Sequence, residues 1–407
     1  MKRRTFIIKT GLSAGGLGLI SKNGLFDQSI KSCKIQKLSP SGKNHFFGYY
    51  GINTWDKSKR YHLSLETDFD DRVPSFSDVA KVGLIDSKSN RFISFAETAA
   101  FNFQQGSMMH WIDAGFGEEF IYNAFEEKSL ISFTVNPISG KKRKIKAPVA
   151  ALSPNGRDAI GLNYIRMWYC RKEVGYIADI ENYETKNIPE DDGLFTVNLN
   201  TGEKQLFLPF TEIVKHPDFN IPVNGLLWFN HVLFNPSGSR MLFFCRVKTE
   251  KSWETSLWTI NSNGTELQCQ IPFGHWVSHF DWKDDNIILF TSDILGSRNF
   301  IEFTDGKKNF HVVGKEILTR DGHCSYSPDR QWILSDAQIG GRDNPQAEIF
   351  LFNTKTNEKT QLGIFNQDIK RANVIRCDLH PRFSSDGKTI TFDSVHEGER
   401  QIYMINI

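Results

Sequence analysis

From about residue 44 to the C-terminus, apolar and polar positions alternate with a period of two, in short runs separated by tight polar turns. The last segment, HPRFSSDGKTITFDSVHEGERQIYMINI, shows the unit: two alternating runs around the turn Ser385-Asp386-Gly387. Its opening recurs as HVLFNPSG from His231, HFDWKDD from His279 and HCSYSPD from His323. In each copy a histidine stands three residues before a large anchor, Phe234, Trp282, Tyr326 or Phe383, and a turn follows the anchor. Period-two alternation bounded by Gly, Asn, Asp and Pro turns predicts strands, and no helical period of useful length appears after residue 25. A repeat of about 40–50 residues carrying four strands is that of a propeller blade.

Further anchors fall at Leu152, Trp111 and Trp55, so the seven are separated by 56, 41, 82, 48, 44 and 57 residues. The double-length gap reads as a long insertion, because 165–193 and 209–229 lack two clean hairpins. An all-β, seven-bladed β-propeller over 34–407 is expected. The last repeat holds only three strands, and the stretch 33–38 is expected to supply the fourth and close the ring. That pairing completes the seventh blade and ties the two ends of the chain together.

In a four-stranded blade the first strand begins and the second ends at one rim. The turns predicted at the opposite rim are short, whereas 67–79, 165–193, 209–229, 337–347 and 363–379 all belong to the histidine rim. Long loops on a rigid scaffold are where function concentrates. Four imidazoles, His231, His279, His323 and His380, on one rim near the central channel form a candidate site for a divalent transition metal, zinc or manganese. The alternative is a polar tunnel in which they bond to backbone or water; Cys377 could replace one of them. His275, His311 and His396 fall outside the register and are expected at the surface.

Second strands deliver further polar groups to this rim: Asn163 and Tyr164 with Arg166 beyond, then Arg246, Asp293, Asp336 and Asp393. Arg246 ends the apolar run Leu242–Cys245, so it needs an acidic neighbour or an anionic ligand. His110, two residues off the histidine register, and Tyr176, in the long insertion, are the remaining candidates for chemistry.

The 49 basic and 47 acidic residues give a formal charge of +2, and residues 1–22 contribute five of the basic ones. A near-neutral body without a basic stripe argues against nucleic acid as a partner. Six cysteines in so large a domain make no disulfide framework, and Cys245 and Cys269 read as packed thiols. Phosphate-loop, dinucleotide, Gly-x-Ser-x-Gly and His-Glu-x-x-His patterns are absent. Residues 1–25 combine a basic start with a short apolar run, an export signal and not a span, and no other transmembrane segment appears. Arg3-Arg4-Thr5-Phe6-Ile7-Ile8 resembles the twin-arginine signal of bacteria, which implies a periplasmic or extracellular protein exported already folded.

Two resemblances concern the repeats. The run Phe383 to Phe392, followed by Gln401-Ile402-Tyr403-Met404-Ile405, resembles the TolB-type repeat. Asp321-Gly322-His323, Arg376-Cys377-Asp378-Leu379-His380-Pro381 and Phe46-Phe47-Gly48-Tyr49-Tyr50 resemble seven-bladed polysaccharide lyases, the oligogalacturonate and ulvan lyases. This implies β-elimination on an acidic, uronate-containing oligosaccharide, with a histidine-held metal in the propeller. The glutamine ligand of that pattern has no match near 375–380. On this reading Arg166 or Arg246 neutralises the substrate carboxylate, and His110 or Tyr176 moves the proton. Two other readings stay open: a non-catalytic exported propeller that binds a glycan or protein, and a hydrolase using Asp293, Asp336 and Asp393.

Overall fold

The computed structural model describes residues 34–112, 119–180, 185–341, 343–371 and 373–407; the export-signal segment 1–25 lies outside them. Seven four-stranded antiparallel sheets make a seven-bladed β-propeller. The first blade comprises Asn44–Phe46, Tyr61–Thr67, Ala80–Asp86 and Arg91–Thr98. Blades two to six follow in the same order, their first strands being His110–Ile112, Ala151–Leu152, Leu227–Phe234, Val277–Trp282 and Ser325–Tyr326. The seventh combines Arg382–Phe383, Thr389–Ser394 and Gln401–Asn406 with Ile35–Lys37, where Ile35 pairs with Ile405 and Lys37 with Tyr403. The N-terminal strand thus closes the ring.

The double-length gap is an insertion. Blade three runs from Asp158–Gly161 through a helix, Tyr164–Cys170, before resuming at Gly193–Asn198. Asn163 begins that helix, its side-chain oxygen accepting from the Arg166 backbone N–H. A second short helix, Phe210–Lys215, precedes blade four.

Alternating strands put one apolar face of each blade against the next. Leu242, Phe244 and Leu257 of blade four pack with Phe280, Trp282, Ile288 and Phe290 of blade five. Leu334 and Ile349 of blade six meet Ile390 and Tyr403 of blade seven in the same way. Each such side chain, when fully buried, contributes about 1.5–3 kcal/mol, so the blades hold the channel walls rigidly.

The first strand of blade one is interrupted. It pairs down to Phe46 opposite Leu65, leaves the sheet, and returns at Trp55 opposite His62. The excursion enters the channel and carries Tyr49 and Tyr50. The buried Asp393 carboxylate accepts the Phe47 and Gly48 N–H groups at 3.1 and 2.7 Å and pairs with Arg382 at 2.8 Å. Arg382 also donates to the Tyr49 carbonyl at 3.0 Å. Gly48, at φ 88°, passes so close to the connection between blades one and two that a Cβ would lie 2.6 Å from the Gly106 nitrogen. No side chain fits there.

Candidate functional site

The register histidines occupy irregular points in their strands. In blade four Asn230 pairs with Phe244 and Leu233 with Leu242, so His231 and Val232 together face one residue. Blade seven repeats this: the Asp393 N–H meets the Leu379 carbonyl and Arg382 pairs with Thr391, with His380 and Pro381 between. In blade five His279 is the extra residue between Ser278 and Phe280. Such bulges re-aim side chains. His231 and His380 also have positive φ, 51° and 44°, backbone strain of the order of 1 kcal/mol or more that the packed blades impose.

The imidazoles do not form one ring. His279, His323 and His380 stand in succession, with centroids 4.2 and 4.1 Å apart. Tyr50 lies against all three, at 5.7, 5.2 and 6.2 Å. His231 is set apart, stacked on Tyr49, whose hydroxyl oxygen is 2.6 Å from its Nδ1. Carboxylates orient two of the group: Asp321 lies 2.9 Å from the His279 Nδ1 and accepts from Thr291, and Asp336 lies 3.0 Å from the His323 Nδ1. Burial opposes charge on Asp321 and Asp336, yet the facing imidazoles hold both carboxyls below their ordinary range. Burial also opposes charge on His323, but Asp336 raises it above an ordinary imidazole. His380 and His231 are held well below that value, first by burial and then by His323 and Arg246 respectively.

His323, Asp378 and His380 offer ligand atoms that all lie within 4.8 Å of one another. Asp378 is 6% exposed, and the buried His380 Nδ1 has no hydrogen-bond partner among the described residues. Two imidazoles and a carboxylate suit a divalent transition metal, and a carboxylate behind one imidazole is the usual outer support of such ligands. The donor set therefore fits a metal. The Cys377 thiol is buried outside this group and pushed up to about 12 by its burial.

Beside these donors opens a pocket of about 600 Å³ on the histidine rim, lined by His231, His279, His323, Asp321, Asp336 and Asp378 together with Arg171, Arg246 and Arg376. Trp253 and Trp276 form part of its wall. Arg171 lies over the Trp253 ring, 3.7 Å from Glu173, and Arg376 pairs with Asp378 at 2.9 Å. Arg246 is different. It is 4% exposed, its Nε donates to the Thr255 hydroxyl, its Nη1 has no partner, and no acidic residue pairs with it among the described residues. Burial and then Arg171 pull it down to about 9.

The other candidates lie elsewhere. Arg166 donates to the Leu227, Lys186 and Asn187 carbonyls, which tie the insertion to blade four. Tyr176 is fully buried and stacked on Tyr164 at 4.5 Å. His110 is buried and lowered to about 4 by burial. It lines a separate cavity of about 230 Å³ with Trp111, Leu152 and Leu233, bounded by Tyr49 and Tyr50. Asp393 is engaged by Arg382 and Asp336 by His323, while Asp293 accepts from the Trp276 backbone. His275, expected at the surface, lines the pocket and lies 3.7 Å from Asp293. Asp378 and Arg376 stand in the lyase-like run Arg376–Pro381 but have no role assigned there; the spacing Asp378-Leu379-His380 is the signal for the first. Nothing local marks Arg171.

No family model matches the chain. A curated relative, the oligogalacturonide lyase of Pectobacterium atrosepticum, is 19% identical over 228 residues, 53% of this chain and 55% of that protein. The chain thus matches about half the length of that relative. The crystal structure of an oligogalacturonate lyase from Vibrio parahaemolyticus superposes with a TM-score of 0.65 at 14% identity, covering 92% of this chain and 94% of the other. An oligogalacturonate lyase in complex with manganese gives 0.65 at 15% identity, over 92% and 93%. The tricorn protease shares the fold more distantly, at 0.54 and 10% identity. The chain is a seven-bladed β-propeller whose fold is similar to that of oligogalacturonate lyases.

Proposed function

We propose that this protein is an exported polysaccharide lyase that cleaves an acidic, uronate-containing oligosaccharide by β-elimination in the histidine-rim pocket. The observation that carries this reading is Arg246, a buried cation with no acidic partner among the described residues, in the same pocket as an imidazole oriented by a carboxylate. Arg246 takes the substrate carboxylate in a planar, two-pronged contact, which makes the adjoining C5–H more acidic. Asp321 accepts the Nδ1–H of His279, which leaves the lone pair on Nε2 to take the C5 proton. The C4–O bond then breaks as the C4=C5 double bond forms, and a proton returns to the leaving oxygen. His323, Asp378 and His380 would hold zinc or manganese, whose positive charge further stabilises a bound carboxylate. The relatives' names and the manganese of one neighbour support this. Export rests on residues 1–25; no helix among the described residues is long and apolar enough to cross a membrane.

The test is to incubate the purified protein with oligogalacturonides and other uronate oligosaccharides and to follow the ultraviolet absorbance of the unsaturated product. His279→Ala is expected to lower turnover by about 10²–10⁴-fold while substrate still binds. Binding without product by the unaltered protein would replace the lyase with a glycan-binding propeller; full turnover by the variant would remove His279 from the reaction.

A further inference from the structure

His231 shares the register of the other three histidines, but the partner of its Nδ1 is of another kind. Behind His279 and His323 stand carboxylates, which can only accept, so both rings keep their proton on Nδ1 and turn a lone pair outward. Behind His231 stands the Tyr49 hydroxyl, 2.6 Å away, and this imidazole is the hydroxyl's sole hydrogen-bond partner among the described residues. Burial keeps the phenol protonated. Its proton therefore goes to Nδ1, because the reverse arrangement would leave a buried O–H without an acceptor, a cost of about 1–3 kcal/mol. The remaining proton of neutral His231 sits on Nε2. Burial, and after it the Arg246 cation, disfavours a second proton. His231 lines the pocket with Arg246, and Phe244 joins the two: its ring meets His231 edge-on at 5.8 Å and lies under the Arg246 guanidinium at 4.8 Å.

We infer that His231 is a neutral hydrogen-bond donor to the substrate carboxylate beside Arg246, and that Tyr49 is the residue that positions it by fixing its Nε2–H tautomer. This deepens the lyase reading and rests on it for the nature of the substrate. Two identical residues in equivalent strand positions, His231 and His279, thus act with opposite polarity, one as donor and one as acceptor. The group behind each ring decides which.

Long-range proton–nitrogen spectra of the full protein, labelled with ¹⁵N only in histidine, read the tautomer without any assay of turnover. The His231 signals are assigned by their loss in His231→Gln. The unaltered protein should show His231 protonated on Nε2, and Tyr49→Phe should give a mixture of tautomers. Galacturonate, the probe, should shift the His231 Nε2–H signal. Tyr49→Phe should bind it about 3–10-fold more weakly, the worth of one hydrogen bond, with KM raised and kcat largely kept. An Nδ1–H tautomer in a protein that still binds galacturonate and forms unsaturated product overturns this inference alone. Galacturonate binding that leaves the His231 signal unmoved overturns the donor role. The Nε2–H tautomer without galacturonate binding removes the uronate substrate, and with it the donor role, while the part assigned to Tyr49 stands.

Discussion

Replacing Arg246 with methionine should stabilise the protein and disable it. The guanidinium is 4% exposed, lacks an acidic partner among the described residues and is pulled down to about 9 by burial and then by Arg171. At about 1.4 kcal/mol per pKa unit, that corresponds to roughly 5 kcal/mol of unfavourable burial as an upper bound. Relaxation and water entry reduce such penalties, so a net gain of about 2 kcal/mol is expected from Arg246→Met. Methionine fills similar space against Phe244 and Trp253, the rings that the guanidinium now covers. In a chain this long the gain corresponds to a rise in Tm of about 2–4 °C. The loss is on the ligand side, because a two-pronged charge-assisted contact is worth about 1.5–3 kcal/mol. Galacturonate should therefore raise the Tm of the unaltered protein and leave that of the variant almost unchanged. Calorimetry of both proteins, with and without galacturonate, measures the two effects together. A lower Tm in the variant, with stabilisation by galacturonate intact, would refute the reasoning, since Arg246 would then serve the fold and not the ligand.

Manganese or zinc at about 100 times its Kd should stabilise the protein by about 2.7 kcal/mol, and Asp378→Ala or His323→Ala should abolish that shift; an unchanged shift in both variants would remove the assigned donors. Together with His231 and His380, which are held well below an ordinary imidazole, His110, which burial lowers to about 4, should contribute to the pH dependence of stability. Its folded value lies below the unfolded one near 6.5, so the unfolded chain takes up the proton first. Stability is then full above about 6.5 and falls by up to about 3 kcal/mol as the pH drops towards 4. His110→Gln should make Tm fall less steeply as the pH drops through that window, and an unchanged slope would remove His110 from the effect.

Much of the architecture was legible because a blade is a local object. Alternation, turn residues and anchor spacing are written within each 40–60-residue stretch, and every sheet but the last is built from consecutive strands. The register of His231, His279, His323 and His380 carried the same information, since strand direction alone puts them on one rim. The site within that rim is not local, and there sequence reasoning reached its limit. Arg166 and Arg246 both come late in or after second-strand patterns, yet one lies in a helix where three carbonyls engage it and the other, within the strand Arg240–Lys248, faces the pocket with no acidic partner among the described residues. His110 and Tyr176 carry suitable chemistry, but the place of His110 next to the anchor Trp111 and the path of the insertion turn them into a second cavity and the core. Tyr49 and Tyr50 sit in an excursion from blade one that reaches across the channel to histidines some 180–330 residues later. Strand periodicity, a property of neighbours in sequence, determined the fold and the functional face. Which imidazoles gather around Asp378, and which nitrogen of each carries the proton, depends on groups brought together only when the ring closes.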